Sequence, residues 1–171
     1  RLRGQQIMAA MLNEFPDIHI FTSLGLYGPY LGYEGWELWP SIVDGLLDVS
    51  PSSLKIYDGG EAAYGPNVSY RTLQQYQTLR STQLASKAVL ENSTRFDESW
   101  VPVNAVWMDT KNNVWSTTDY SLNYYTPSQF NDVLGYALQC SDKYTWVYTE
   151  RPKWWPRTDI PDEYIDALGS H

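Results

Sequence analysis

Cysteine and histidine are almost absent from this chain. Its 171 residues include one cysteine, Cys140, and two histidines, His19 and the terminal His171. A lone cysteine excludes an internal disulfide. With no His or Cys beside it in a predicted helix, Cys140 reads as a small buried apolar residue. His19 falls inside a strand-like segment and reads as structural. One such histidine and one isolated cysteine give no basis for a transition-metal site. They also supply no base for a Ser-His-Asp or Cys-His apparatus. Ca²⁺ held by loop carboxylates stays chemically open, but no EF-hand spacing is present. Neither GxGxxG nor a P-loop occurs, so no metal and no cofactor is expected.

Positive charge is scarce as well. Twelve Lys and Arg stand against twenty Asp and Glu, for a net charge of −8. Nucleic acid and anionic membrane both need clustered cations, so neither is expected as a partner. Apolar runs are too short to span a bilayer. The chain opens at Arg1 with no visible leader, which is compatible with a leader having been removed. The compartment is left open, a secreted or periplasmic one being compatible. Two sequons, Asn67-Val68-Ser69 and Asn92-Ser93-Thr94, would matter only in a eukaryotic secretory setting. Gly169-Ser170-His171 reads as the start of a tag, leaving one α/β domain over residues 1–169 and a tag remnant at 170–171.

What is abundant is aromatic. Eight Trp, fourteen Tyr and four Phe make up 15% of the chain, while hydrophobic residues are 43% and charged residues 19%. That is a globular composition with a real core. A Tyr/Trp-rich core explains the rings in one way. A sugar cleft explains them in another, since flat rings cover pyranose faces while acids and amides bond hydroxyls.

Periodicity predicts alternating helices and strands. Ile7, Met8, Met11, Leu12 and Phe15 mark one helical face over 4–15, and residues 18–24 read as a strand. Residues 36–49 form the next helix, with Pro40 in its first turn, followed by a strand over 54–57. A long helix is expected over 69–91 with Ser69 as cap, then a strand over 101–108. Thr126-Pro127-Ser128-Gln129 carries a capping box and Pro at the first helical position. The last strand is 144–149.

Four such α–β units, with no hairpin signals between the strands, imply a parallel sheet with right-handed crossovers. The loops after the strands are long and chemically loaded (GLYGPYLGYEG, DGGEAAYGPN, DTKNNVWSTTDYSLNYY, ERPKWWPRTD). Most connections after the helices are short, and ENSTRFDES is the exception. Function gathers at the carboxyl ends of strands in such sheets. A complete (β/α)8 barrel takes about 250 residues. The expected fold class is therefore α/β, with parallel strands alternating with helices in a partial, TIM-like (β/α)8 arrangement of about half a barrel. Open sheet edges would then favour a homodimer.

Carboxylates stand at three strand ends: Asp58 and Glu61 in YDGGE, Asp109 in WMDT, and Glu150 in YTE. Two carboxyls at one mouth suit glycoside hydrolysis, one protonating the leaving oxygen and one acting as nucleophile or water-activating base. A structural alternative stands beside each, because strand-end acids also cap helices and satisfy loop amides. Trp146, Tyr148 and Glu150 alternate onto one side of their strand. An acid above two rings would have its pKa raised by desolvation, as suits a general acid. Trp154-Trp155 then form either a lid or a stacking platform. Tyr64, Trp36 and Trp115 occupy or flank the same family of loops and join the expected substrate-binding set.

YDGGEAAYG, the segment TPSQFNDVLGYALQCSDKYTWVYTERPKWWP and the aromatic loops resemble the C-terminal part of bacterial (β/α)8-barrel glycoside hydrolases, over residues 18–156. The resemblance implies a sugar-active barrel acting on a poly- or oligosaccharide, with Glu150, Glu61 and Asp58 as the positions to test. Many retaining barrel glycosidases carry catalytic glutamates after their fourth and seventh strands. If this chain holds strands five to eight, the first of these is missing and the second is Asp109. The competing expectation is a non-catalytic carbohydrate-binding or half-barrel module that assembles by dimerisation and needs the rings but not the acids.

Overall fold

The computed structural model describes residues 1–65, 68–110 and 114–171. Its elements in chain order are α1 (Leu2–Glu14), β1 (Ile20–Thr22), α2 (Tyr27–Tyr30), α3 (Trp39–Val49), β2 (Ile56–Asp58), β3 (Tyr64–Gly65), β4 (Val68–Ser69), α4 (Leu73–Ala85), α5 (Ser93–Ser99), β5 (Trp100–Pro102), β6 (Asn104–Trp107), α6 (Pro127–Gln139), β7 (Thr145–Tyr148) and α7 (Asp162–Gly169). The chain divides into two compact units, one of Arg1–Gly60 with Arg80–Pro102, the other of Glu61–Leu79 with Val103–His171.

In the first unit β1, β2 and β5 form a parallel sheet in that order. Ile56 at its centre is fully buried, in a cluster with Met8 of α1, Val43, Leu46 and Leu47 of α3, and Phe96 and Trp100. Helices α1 and α3 pack backbone to backbone. A Cβ on Gly45 would lie 2.0 Å from the Arg1 carbonyl oxygen, and one on Gly4 would lie 2.1 Å from that of Ile42. Only glycine at both positions permits so close a crossing. The buried Asp44 carboxylate accepts the main-chain N–H groups of Glu91 and Asn92 at 3.1 and 2.8 Å. These lead into α5, so Asp44 anchors the entry to that helix.

In the second unit β6 and β7 pair in parallel, with Ala105 opposite Trp146 and Trp107 opposite Tyr148. Thr126 caps α6 through the expected capping box, with Pro127 in its first turn. Phe130, Val133, Leu134 and Ala137 of α6 are buried, as are Tyr164 and Ala167 of α7. Asn123 Nδ2 donates to the Tyr164 hydroxyl at 2.9 Å, and that hydroxyl donates to the Tyr125 carbonyl at 2.6 Å.

The parallel pairings agree with the sequence reading, and the fold is mixed α/β. No closed barrel is present among the described residues. Several boundaries differ. The strand over 101–108 is broken at Val103 into β5, which pairs with β2, and β6, which pairs with β7. The helix expected from Ser69 begins at Leu73, because Ser69 pairs with Tyr64 in the short antiparallel couple β3–β4. It ends at Ala85, and a 3₁₀ segment follows over Ser86–Val89. ENSTRFDES, the long exception among the connections, contains α5. His19 sits one residue before β1 and is exposed. Cys140 is buried at the end of α6, as expected. Of the two sequons, Asn67 lies outside the described residues, and Asn92 donates its side-chain amide to Asp48 at 3.0 Å. No helix among the described residues is long and apolar enough to cross a membrane.

Candidate functional site

The site assembles in the second unit at the carboxyl end of β6 and β7. Side chains alternate across a strand, so the register puts Trp107, Trp146 and Tyr148 on one face of the pair. Tyr64 lies against all three. Its ring centroid is 5.4 Å from Trp107 and 5.9 Å from Trp146, both edge-on, and 6.0 Å from Tyr148 at an interplanar angle of 13°. Trp107 and Tyr148 meet edge-on at 5.3 Å. Edge-to-face contacts at these separations are favourable, roughly 0.5–1.5 kcal/mol each beyond area burial. The group stays open to solvent, since Tyr64, Trp107 and Trp146 are half-buried and Tyr148 is 37% exposed.

Two of the expected acids, Glu61 and Asp109, join this group through their side chains, and Glu150 is tied to it by its backbone. The Tyr64 hydroxyl donates to Glu61 Oε1 at 3.3 Å. Burial pushes the Tyr64 phenol well above its ordinary pKa, with the nearby Glu61 charge adding to it, so Tyr64 serves as a donor. Asp109 is buried and its carboxylate is well occupied: Trp107 Nε1 donates to Oδ1 at 2.9 Å, the Glu150 N–H reaches Oδ1 at 3.0 Å and Oδ2 at 3.2 Å, and the Arg151 N–H reaches Oδ2 at 2.8 Å. This clasp ties the end of β6 to the residues leaving β7. It matches the structural alternative for a strand-end acid, and it fixes the backbone from which Glu150 emerges. Glu150 itself is exposed, so the buried setting expected for it over Trp146 and Tyr148 is not found.

Trp107 was missed by sequence reasoning. The signal was there: Trp107 precedes Asp109 by two residues, as Tyr148 precedes Glu150, and the register sets the two rings opposite one another.

The Trp pair divides. The Lys153 N–H donates to the Thr158 carbonyl at 2.8 Å and the Thr158 N–H returns the bond at 2.9 Å, closing a small antiparallel loop. Trp154 in this loop is half-buried, whereas Trp155 is 93% exposed. The Trp155–Pro156 peptide is cis. Trp115 is held elsewhere in the unit, its Nε1 donating to the Asp159 carbonyl at 2.8 Å and its ring tilted on Tyr164 at 4.9 Å.

Asp58 and Trp36 belong to the first unit. Trp36 is half-buried with its indole against Gly28. Asp58, at the end of β2, is buried. Its carboxylate accepts the Gly60 N–H and Trp100 Nε1, each at 3.3 Å. Gly25, at φ +52°, lies so close that a Cβ there would be 2.2 Å from the Asp58 carboxyl carbon. Desolvation pushes this carboxyl up to about 6, against the opposing pull of its hydrogen bonds. No group of three or more His, Cys, Asp or Glu side chains among the described residues could hold a metal ion.

No protein-family model, no curated protein and no solved structure matches this chain. The functional reading therefore rests on the residues themselves.

Proposed function

We propose that this protein is a carbohydrate-active α/β domain of the partial (β/α)8 kind, and that it hydrolyses glycosidic bonds of an oligo- or polysaccharide. The observation that carries the reading is one chain of contacts at a strand-end site. It runs from Glu61 through the Tyr64 hydroxyl to the Trp107, Trp146 and Tyr148 rings, and Tyr148 stands two residues before Glu150 in the chain. Solvent-open aromatic faces suit pyranose rings, and two acids beside them suit acid and nucleophile or acid and base. Glu61 and Glu150 are the pair in this reading. Asp109 positions the backbone of Glu150, its carboxylate being occupied by the Glu150 and Arg151 N–H groups and Trp107 Nε1. In the first unit, Asp58 keeps a proton up to about pH 6.

The test is turnover of aryl glycosides and soluble polysaccharides by the wild type, Glu61→Gln and Glu150→Gln. Loss of a general acid or base lowers the rate roughly 10²–10⁴-fold. Activity unchanged in both variants would sink the assignment.

A second reading, a non-catalytic carbohydrate-binding module, is favoured by the solvent exposure of Glu150 and Trp155. Calorimetric binding that is lost in Trp155→Ala, with no turnover of the bound sugar by the wild type, would select it. Among the described residues β1, β5, β6 and β7 each pair on one side only, which supports pairing of an open strand edge with a second copy. A strict monomer by light scattering at micromolar concentration would remove that part.

A further inference from the structure

We propose that the segment from Arg151 to Thr158 binds an anionic saccharide, its acidic groups held by Arg151 and Lys153 and a sugar face laid on Trp155. This rests on the carbohydrate reading above and adds to it the charge class of the ligand. In a chain of net charge −8, residues 151–158 carry three cations, Arg151, Lys153 and Arg157, and no carboxylate. Arg157 is engaged, its Nη2 lying 2.5 Å from Asp162 Oδ1. Arg151 and Lys153 are exposed and have no carboxylate partner among the described residues, the Lys153 ammonium meeting only the Glu150 carbonyl at 3.4 Å. Unpaired cations beside an exposed indole favour a ligand that offers a flat apolar face and negative charge together.

The segment is built before any ligand arrives. The Arg151 N–H is tied to buried Asp109 at 2.8 Å, Thr149 Oγ1 donates to the Pro152 carbonyl at 2.8 Å, and Lys153 and Thr158 exchange two main-chain bonds. A platform already ordered loses less entropy on binding. Uronate- and sulfate-bearing glycans share the required chemistry. A nucleic-acid backbone would meet the same cations, but two open cations on an acidic chain fall short of the clustered Lys/Arg that such a ligand needs.

Binding of four probes to the intact chain separates these cases: a galacturonic-acid hexamer, a sulfated disaccharide-repeat hexamer, a neutral glucan hexamer and a single-stranded thymidine octanucleotide. The proposal expects at least one anionic hexamer to bind more tightly than the neutral one, with added NaCl weakening it. Arg151→Gln with Lys153→Gln should weaken that hexamer about tenfold and leave the neutral one unchanged, as two exposed charge contacts allow. Trp155→Ala should weaken both. Equal binding of neutral and anionic hexamers, unmoved by the double variant, overturns this proposal and leaves the carbohydrate reading standing. No binding of any hexamer overturns both. Octanucleotide binding tighter than either anionic hexamer, lost in the double variant, also overturns it. All three positions are exposed, and a circular dichroism spectrum matching wild type confirms that each variant is folded.

Discussion

Replacing Asp58 by Asn is expected to remove a pH dependence of stability between about pH 4 and pH 6. The carboxyl moves from 3.8 to about 6 on folding, chiefly through desolvation. A folded state that holds the proton more tightly than the unfolded chain is favoured below the unfolded pKa. That advantage is lost as pH rises through the folded value. Above pH 6 the ionised carboxylate costs about 3 kcal/mol relative to its protonated form, at about 1.4 kcal/mol per pH unit of displacement. The wild type should therefore lose stability on going from pH 4 to pH 6.5. Asp48 works in a separate window, because its hydrogen bond with Arg1 draws its carboxyl down to about 2. Its contribution is present above about pH 4 and disappears on acidification through pH 2. Asn at position 58 cannot ionise, although its amide places a donor where Gly60 or Trp100 also donates, at a cost of about 1–3 kcal/mol. The readout is therefore the slope and not the absolute value. Urea denaturation of both proteins at half-unit steps from pH 4 to pH 7 measures it. An identical slope in Asp58→Asn would refute a buried, proton-holding Asp58.

Two further outcomes follow from the packing. Asp109→Ala strips the acceptor from Trp107 Nε1 and from the Glu150 and Arg151 amides. It should destabilise by roughly 2–4 kcal/mol, with hydrogen exchange at those two amides accelerating more than in the α6 interior. Equal protection in variant and wild type would remove the clasp. Thr126→Ala removes the N-cap of α6 and should cost about 1 kcal/mol in chemical denaturation, while Thr126→Ser should cost far less.

Much of the architecture could be read along the chain because it is written in local chemistry. The capping box at Thr126–Gln129 needs only neighbouring residues, so the start of α6 was legible. Pro40 in the first turn of α3 was legible for the same reason, whereas of the apolar stripe read for α1 Met8 is buried but Ile7 and Phe15 are exposed. Period-two alternation set Trp146 and Tyr148 on one face before any partner strand was known. Where contacts are distant, local signals misled. Ser69 is a reasonable N-cap by type, but pairing with Tyr64 takes it into β4. The strand over 101–108 breaks at Val103, just after Pro102, whose missing N–H cannot serve a ladder, and the change of partner there from β2 to β7 is set by distant strands.

The acids divide in the same way. That Asp58, Glu61, Asp109 and Glu150 stand at or just beyond strand ends follows from residue order alone. Which of them is buried, occupied or free depends on groups far away in sequence. Asp109 is occupied because the Glu150 and Arg151 amides, 41 and 42 residues on, close over it. Asp58 is desolvated because Gly25 and Trp100 pack against it from 33 residues before and 42 after. Glu150 keeps an open side chain because Asp109 holds only its backbone. Burial and hydrogen-bond occupancy are properties of neighbours in space, and those neighbours are assigned only when the strands find their register.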